Sequence, residues 1–234
     1  MELRMKDLFF EDDHDFFKGY AIQKNYFIKQ SQQYEIQKND ILFSEGDADK
    51  YCYYLLSGVV RVFQTADCGK ELGMYIRFPG SFVDFSDLLE DLPYKNTSAQ
   101  AVTAGSICVL PNPKIKEILD QEKELFKRTA AWSCRERRLL EKWCLSLASE
   151  KVPGRLLHLL STLCRGALAD AVDKIPAEPL LLPLTQTQLA CMINSTQCTI
   201  NPYLRQLQEE GVLKLGRGRI CIRNPAMLLK NSIY

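Results

Sequence analysis

Residues 184–207 read Leu184-Thr185-Gln186-Thr187-Gln188-Leu189-Ala190-Cys191-Met192-Ile193-Asn194-Ser195-Thr196-Gln197-Cys198-Thr199-Ile200-Asn201-Pro202-Tyr203-Leu204-Arg205-Gln206-Leu207. Thr185 followed three residues on by Gln188 fits a capping box, the hydroxyl taking a first-turn amide while the glutamine reaches back. The spacing predicts a short helix over 185–193, with Leu189, Met192 and Ile193 apolar and Ala190 small enough for a close crossing. Asn194 stands where the chain must turn sharply, and asparagine tolerates the left-handed conformation better than most residues. Ser195 or Thr196 then caps a second helix with Ile200, Leu204 and Leu207 on one face. Two short helices joined this way form a helix-turn-helix, whose second helix enters the major groove of DNA. Downstream, 211–215 and 219–222 flank a Gly216-Arg217-Gly218 turn, a hairpin wing whose Arg217 and Arg219 suit phosphate contacts.

Upstream, Val152-Pro153-Gly154-Arg155 starts a helix with Leu156, Leu157, Leu159, Leu160 and Leu163 on its apolar face, and 180–182 reads as a strand. From about 122 to 149 there is neither proline nor glycine. Leu125, Trp132, Leu139, Leu140, Trp143 and Leu147 form a seam at three- and four-residue spacing. A helix that long exceeds the needs of one small domain, so the seam is expected to pair with a second copy of itself. The alternative is a long helix folded against its own sheet. Asn112 and Pro113 read as the N-cap and first turn of a preceding helix. Between 34 and 110 the texture is β-prone. Runs at 41–43, 51–56, 59–63, 71–78, 81–83, 99–102 and 107–110, separated by glycine turns, indicate an antiparallel sandwich or barrel. The first thirty residues, with Phe9, Phe10, Phe16, Phe17, Tyr20, Tyr26 and Phe27, read as short helices that pack aromatic rings on a neighbour. The expected class is α+β: residues 1–111 N-terminal helices and an antiparallel β domain, 112–150 a helical connector and dimerisation helix, 151–234 the DNA-binding module.

Charge supports that division. The 234 residues carry 30 basic and 29 acidic side chains. Residues 1–150 hold 20 basic and 24 acidic side chains, residues 151–234 hold 10 and 5. An acidic front and a basic back is the asymmetry expected when one part meets a polyanion. Nine cysteines occur without any C-x-x-C pair, and the histidines are only His14 and His158. That spacing speaks against a zinc or iron–sulfur site. With no secretory signal and no apolar run long enough for a membrane span, a cytoplasmic location is expected. No nucleophile motif accompanies the two histidines, so no catalytic constellation emerges.

The chain resembles the Crp/Fnr family of bacterial transcription regulators. The resemblance rests on Ile41-Leu42-Phe43-Ser44-Glu45-Gly46-Asp47, on Tyr53-Tyr54-Leu55-Leu56-Ser57-Gly58-Val59-Val60-Arg61-Val62, on Pro79-Gly80-Ser81-Phe82, on 184–190 and on Thr199-Ile200-Asn201 through Leu204. It implies a cyclic-nucleotide-binding-domain-like β-roll, a long dimerisation helix and a C-terminal winged helix-turn-helix. Double-stranded DNA and a second copy are the implied partners, with RNA polymerase a candidate third.

Departures from the family pattern carry information. Cyclic-nucleotide binders place a Gly-Glu pair after the Pro-Gly-x-Phe turn and an Arg-Ser pair further on, where this chain has Asp84-Phe85 and Thr97-Ser98. A phosphate would lose its cation and meet Asp84 and Asp87. Leu140 and Glu141 replace the hydroxyls that meet the base. Cyclic AMP is therefore not the expected effector, and no cofactor is expected. A pocket lined by Phe85, Ser86, Leu88, Tyr94, Thr97, Ser98 and Trp132 would suit an apolar or aromatic small molecule; the alternative is that these side chains fill the β-roll. A thiol switch at Cys134, Cys144 or Cys198 is a further option. On the DNA side, members commonly carry Arg-Glu-Thr-Val-x-Arg where this chain reads Gln197-Cys198-Thr199-Ile200-Asn201-Pro202. Both guanine-reading arginines are gone. Base reading falls to Thr196, Gln197, Thr199, Asn201 and Arg205, with Thr185, Thr187 and Cys198 alongside, and should lean towards A·T. Pro202 leaves two outcomes: a helix shortened to start at Asn201, or a full-length helix with proline inside it.

Overall fold

The computed structural model describes residues 15–85, 92–168, 179–182 and 184–231. Phe9, Phe10, His14, Ser86, Asp87 and Leu88 lie outside the described residues. Contacts divide the chain into two compact units, the boundary falling inside the long helix between Arg138 and Leu139. Residues 65–74 group with the C-terminal unit.

The first unit is built on strands β1 (Gln32–Ile36), β2 (Ile41–Phe43), β3 (Tyr51–Ser57), β4 (Val60–Thr65), β5 (Glu71–Arg77), β6 (Ser98–Ala101) and β7 (Gly105–Pro111), the residues of β4 and β5 between 65 and 74 being those that group with the C-terminal unit. They form two sheets, ordered β1-β7-β3 and β2-β6-β4-β5. β7 pairs antiparallel with β1 and β3, and β6 with β2 and β4. Side chains on a strand alternate between faces, and here both faces of the first sheet are used. Tyr53 and Leu55 of β3 and Ile107 and Val109 of β7 join Phe43, Val60, Val62, Val83, Ala99 and Ala101 in a core between the sheets. Cys52, Tyr54, Cys108 and Leu110 face the other way, into a second core with Phe16, Phe17, Phe27 and Phe82.

That outer core is roofed by helices α1 (Ala21–Gln30), α2 (Asn112–Gln121) and α3 (Lys123–Ser149), which contribute Phe27, Ile115, Ile118, Leu119, Leu125 and Trp132. At 27 residues, α3 is about 40 Å long. Gly80 fastens the N-terminal segment down. Its N–H donates to the Leu55 carbonyl and its own carbonyl accepts the Phe16 N–H, both at 2.8 Å. Its φ is +95°, and a Cβ there would lie 3.0 Å from the Asp15 Cα. Only glycine meets both demands without strain.

Three expectations need correction. β1 has no counterpart among the sequence-derived runs, because four of its five residues are exposed and it shows no alternation. Residues 81–83 form no strand of either sheet; Phe82 makes a lone bridge to Tyr54. Asn112 is not an N-cap: Pro111 holds that position, and the Asn112 amide donates instead to the carbonyl and Oδ2 of Asp49, at 3.0 and 2.9 Å.

The second unit comprises the end of α3, helices α4 (Val152–Leu168), α5 (Gln186–Met192), α6 (Gln197–Glu209) and α7 (Pro225–Asn231), and a sheet ordered β8-β10-β9, with β8 Leu180–Leu182, β9 Leu213–Gly216 and β10 Arg219–Ile222. Leu156, Leu159, Leu160 and Leu163 of α4 are buried, as are Leu189, Met192, Ile193, Ile200, Leu204, Ile220 and Leu228. Buried Arg155 ties the elements together, donating to the carbonyls of Glu150 at 2.7 Å and Ile193 at 3.1 Å.

The capping box forms as the residue spacing predicts. Gln188 N–H donates to Thr185 Oγ1 at 3.1 Å, and Thr185 N–H donates to Gln188 Oε1 at 2.9 Å. Losing a cap of this kind costs about 1 kcal/mol. Thr185→Ala is therefore expected to lower the stability of this unit by that amount in urea unfolding, and Thr185→Ser to restore most of it.

Candidate functional site

Asn194 adopts φ +52° between α5 and α6, the left-handed turn expected of it. Thr196 is the N-cap of α6, its Oγ1 accepting the Thr199 N–H at 3.2 Å. The second helix runs full length from Gln197 to Glu209, with Pro202 inside it. Ile200, Leu204 and Leu207 face the core. Thr196, Gln197, Cys198, Thr199 and Arg205 are exposed, as are Thr187, Arg217 and Arg219. An exposed polar first turn is the kind of surface that reads base edges, and exposed hairpin arginines suit phosphates.

Several of these side chains are already engaged with one another. Thr187 Oγ1 donates to Gln197 Oε1 at 2.9 Å, and Gln197 Nε2 donates to Gln186 Oε1 at 3.1 Å. The hydroxyls of Thr196 and Thr199 lie 2.8 Å apart. Thr185 is half-buried and its hydroxyl serves the cap. Asn201 departs from its expected place: it is half-buried, and its Oδ1 is buried without a hydrogen-bond partner. Gln186 was not foreseen, because its role depends on a helix crossing rather than on local spacing.

In the first unit, Asp84 and Thr97 come together, Thr97 Oγ1 donating to Asp84 Oδ2 at 3.4 Å. Ser98 is buried and its hydroxyl accepts the Glu45 N–H at 2.9 Å. A cation stands close by that the sequence did not reveal. Lys95 Nζ lies 2.5 Å from Asp49 Oδ1 and 4.0 Å from Asp84 Oδ2, with side-chain exposures of 3%, 2% and 7% respectively. Its ammonium also sits 4.9 Å from the Phe43 ring centre and 5.9 Å from that of Tyr53, within cation–π range. Burial acts to lower the Lys95 pKa, but Asp84 and Asp49 outweigh it and the net shift is upward. Lys95 is therefore a permanent cation already committed to two carboxylates.

A second buried ion pair joins Arg77 to Glu136. Arg77 Nε also donates to the Val83 carbonyl at 3.0 Å, and Trp132 Nε1 donates to Glu136 Oε1 at 2.9 Å. Phe85 and Trp132, expected to line an effector pocket, are core. Phe85 packs 4.5 Å from Phe82 and 5.6 Å from Phe16, and Phe16 lies 6.0 Å from Trp132, all between ring centres. Tyr94 is exposed. Of the described members of that lining, Phe85 and Trp132 belong to the aromatic cluster under α3.

Residues 33–122 match the cyclic nucleotide-binding domain, and residues 154–230 match the Crp-like helix-turn-helix domain. The chain belongs to the Crp/Fnr family of transcription regulators. It is 26% identical over 187 residues to the cyclic AMP receptor protein of Thermus thermophilus, covering 80% of this chain and 82% of that one. It is 23% identical over 190 residues to the probable transcriptional regulator flp of Lacticaseibacillus casei, covering 81% and 82%. Among solved structures, the c-di-GMP-responsive global regulator CLP of Xanthomonas campestris shares the fold, with a TM-score of 0.71 at 16% identity, over 86% of this chain and 98% of that one. This Crp/Fnr protein is a DNA-binding regulator of transcription, and its relatives are regulators, not enzymes.

The long helix of this Crp/Fnr chain has two stripes. Leu125 and Trp132 lie in the core of the first unit, and Leu139 and Trp143 are also buried. Spacing alone placed these four in the seam expected to meet a partner copy; in the single chain they are already covered. Leu140 and Leu147 are half-buried, and Phe126 and Cys144 are exposed. No helix among the described residues is long and apolar enough to cross a membrane. The nine cysteines are free thiols, with Cys134, Cys144 and Cys198 exposed. Burial pushes the thiols of Cys52 and Cys108 upward, towards the unreactive protonated form.

Proposed function

We propose that this regulator works as a homodimer that reads an A·T-leaning, two-fold site and responds to a signal other than a cyclic nucleotide. The observation that carries the DNA reading is the capped second helix, which presents Thr196, Gln197, Thr199 and Arg205 to solvent, in a unit whose hairpin also exposes Arg217 and Arg219. No arginine stands in that first turn, so the amide of Gln197 is the group suited to bidentate pairing, and amides pair with adenine. Phosphate contacts fall to Arg217, Arg219 and Thr187. Dimerisation through the outer stripe of α3, at Phe126, Leu140, Cys144 and Leu147, keeps the 4-3-type spacing of a helical seam and leaves the buried stripe undisturbed. Non-nucleotide control is supported by Lys95, whose charge is held by Asp49 and Asp84 rather than offered to a phosphate.

Selection from random DNA tests the reading. Expected is a palindromic site with half-sites about one helical turn apart and adenine at the position met by Gln197. Gln197→Ala should relax preference there by roughly tenfold, the low end for a bidentate amide, because Gln197 must first leave Gln186. A tight half-site anchored on guanine would overturn it. A second reading, a fold-mate with non-specific DNA binding, draws on Pro202 inside the helix; it predicts salt-dependent affinity with no sequence preference.

A further inference from the structure

The inner face of the β1-β7-β3 sheet extends beyond the core it shares with the second sheet. Strand register sets its side chains in rows: Gln32, Val109 and Tyr53 lie abreast, with Tyr51 beside Pro111 and Tyr34 beside Ile107. β2 is only three residues long and its Ile41 is 52% exposed. The result is a hollow of about 740 Å³ between β1, β2, β3 and β7. That volume falls within the roughly 300–1,000 Å³ typical of small-molecule sites. It shares no lining residue with the region of Asp84, Phe85 and Thr97.

Three of the exposed large apolar side chains of this chain converge there: Tyr34 at 49%, Tyr51 at 44% and Ile41. Single exposed apolar residues are ordinary, but a concave cluster of them marks a binding surface. The charge of the lining is one-sided. Asp40 contributes a carboxylate, whose Oδ2 accepts the Gln37 N–H at 2.7 Å, and among the described residues no lysine, arginine or histidine lines the hollow. Burial raises the Tyr53 phenol above its ordinary value, with Lys95 opposing and Asp47 and Asp49 adding to the rise. Tyr53 is therefore a neutral hydrogen-bonding group at physiological pH. Aromatic faces carry negative potential and attract cations.

We propose that this hollow binds an aromatic organic cation, its rings against Tyr34 and Tyr51 and its charge near Asp40. An anionic ligand, a nucleotide included, would find no cation in the lining. The proposal stands apart from the DNA reading and from the nature of any signal at Asp84.

Titration calorimetry of the full chain with tetraphenylphosphonium and with tetraphenylborate, ions of nearly the same shape and opposite charge, decides it. Saturable binding of the cation, at least about tenfold tighter than the anion, is expected. Tyr34→Ala with Tyr51→Ala should weaken the cation about tenfold or more while leaving thermal unfolding unchanged, since both side chains are half exposed. Asp40→Asn should weaken the cation several-fold and spare the anion. Equal affinity for both ions, cation binding unmoved by either variant, or no saturable binding of the cation would each overturn the proposal.

Discussion

Lys95→Met is expected to destabilise the first, β-rich unit by about 3–5 kcal/mol, the cost of leaving buried carboxylates without their cation. The argument rests on geometry. Lys95, Asp49 and Asp84 are all nearly inaccessible to water, so solvent cannot re-screen Asp49 and Asp84 once the ammonium is gone. Asp49 is also held by the Asn112 amide, which fixes the carboxylate where the lysine left it. Chemical unfolding followed by far-UV circular dichroism measures the loss. Because a buried pair is often no better than an apolar replacement of the same volume, neutralising the partners should recover much of it. The triple variant Lys95→Met, Asp49→Asn, Asp84→Asn is expected to lie closer to wild type than Lys95→Met alone. If the triple variant is the less stable of the two, the ion cluster is not the source of the effect.

The same cluster sets a pH signature. A lysine whose folded-state pKa is raised contributes stability that is fully present below its unfolded value of about 10.4 and is lost as pH rises through the folded value. Between pH 6 and 9 the Lys95 contribution should therefore be flat. On the alkaline side, the difference in stability between wild type and Lys95→Met should begin to shrink above about pH 10.4.

What the sequence makes legible follows the range of the interaction. The Thr185–Gln188 box, the left-handed Asn194 and the Thr196 cap are hydrogen-bonding patterns closed within four residues, so residue type and spacing specify them. Most strands of the sandwich show in the same way, through β-prone runs punctuated by glycine. β1 does not, because an edge strand whose residues are mostly exposed need not alternate. Lys95 is invisible for a different reason. Its partner Asp49 precedes it by 46 residues and is brought to it only by folding. The dimer seam illustrates a third limit. A helical period identifies an apolar stripe but not what covers it, and here Leu125 and Trp132 are covered by the aromatic cluster of their own unit. The hollow beside Tyr34 and Tyr51 was missed because its lining comes from four strands whose register no local pattern encodes.

Pro202→Ala is expected to stabilise the DNA-binding unit by up to about 3 kcal/mol. α6 begins at Gln197, so residue 202 sits in its second turn, past the positions whose amides are unbonded in any helix. Its amide would pair with the Cys198 carbonyl, and proline removes that bond while crowding the same oxygen. Alanine restores the bond and relieves the clash. Ile200, Leu204 and Leu207 keep the helix seated in either case, so the fold itself does not depend on the change. The functional consequence should run with the structural one. Cys198 and Thr199 stand exposed in the first turn of α6, and the carbonyl freed by Pro202 belongs to that turn. If the proline sets the angle at which Gln197 and Thr199 meet base edges, Pro202→Ala will gain stability and still change the selected half-site. Unfolding in urea together with selection from random DNA separates the two effects. A gain in stability with an unchanged half-site would make Pro202 a tolerated cost with no part in recognition. A gain below about 1 kcal/mol would show that the helix bends enough at Cys198 to have relieved the clash already.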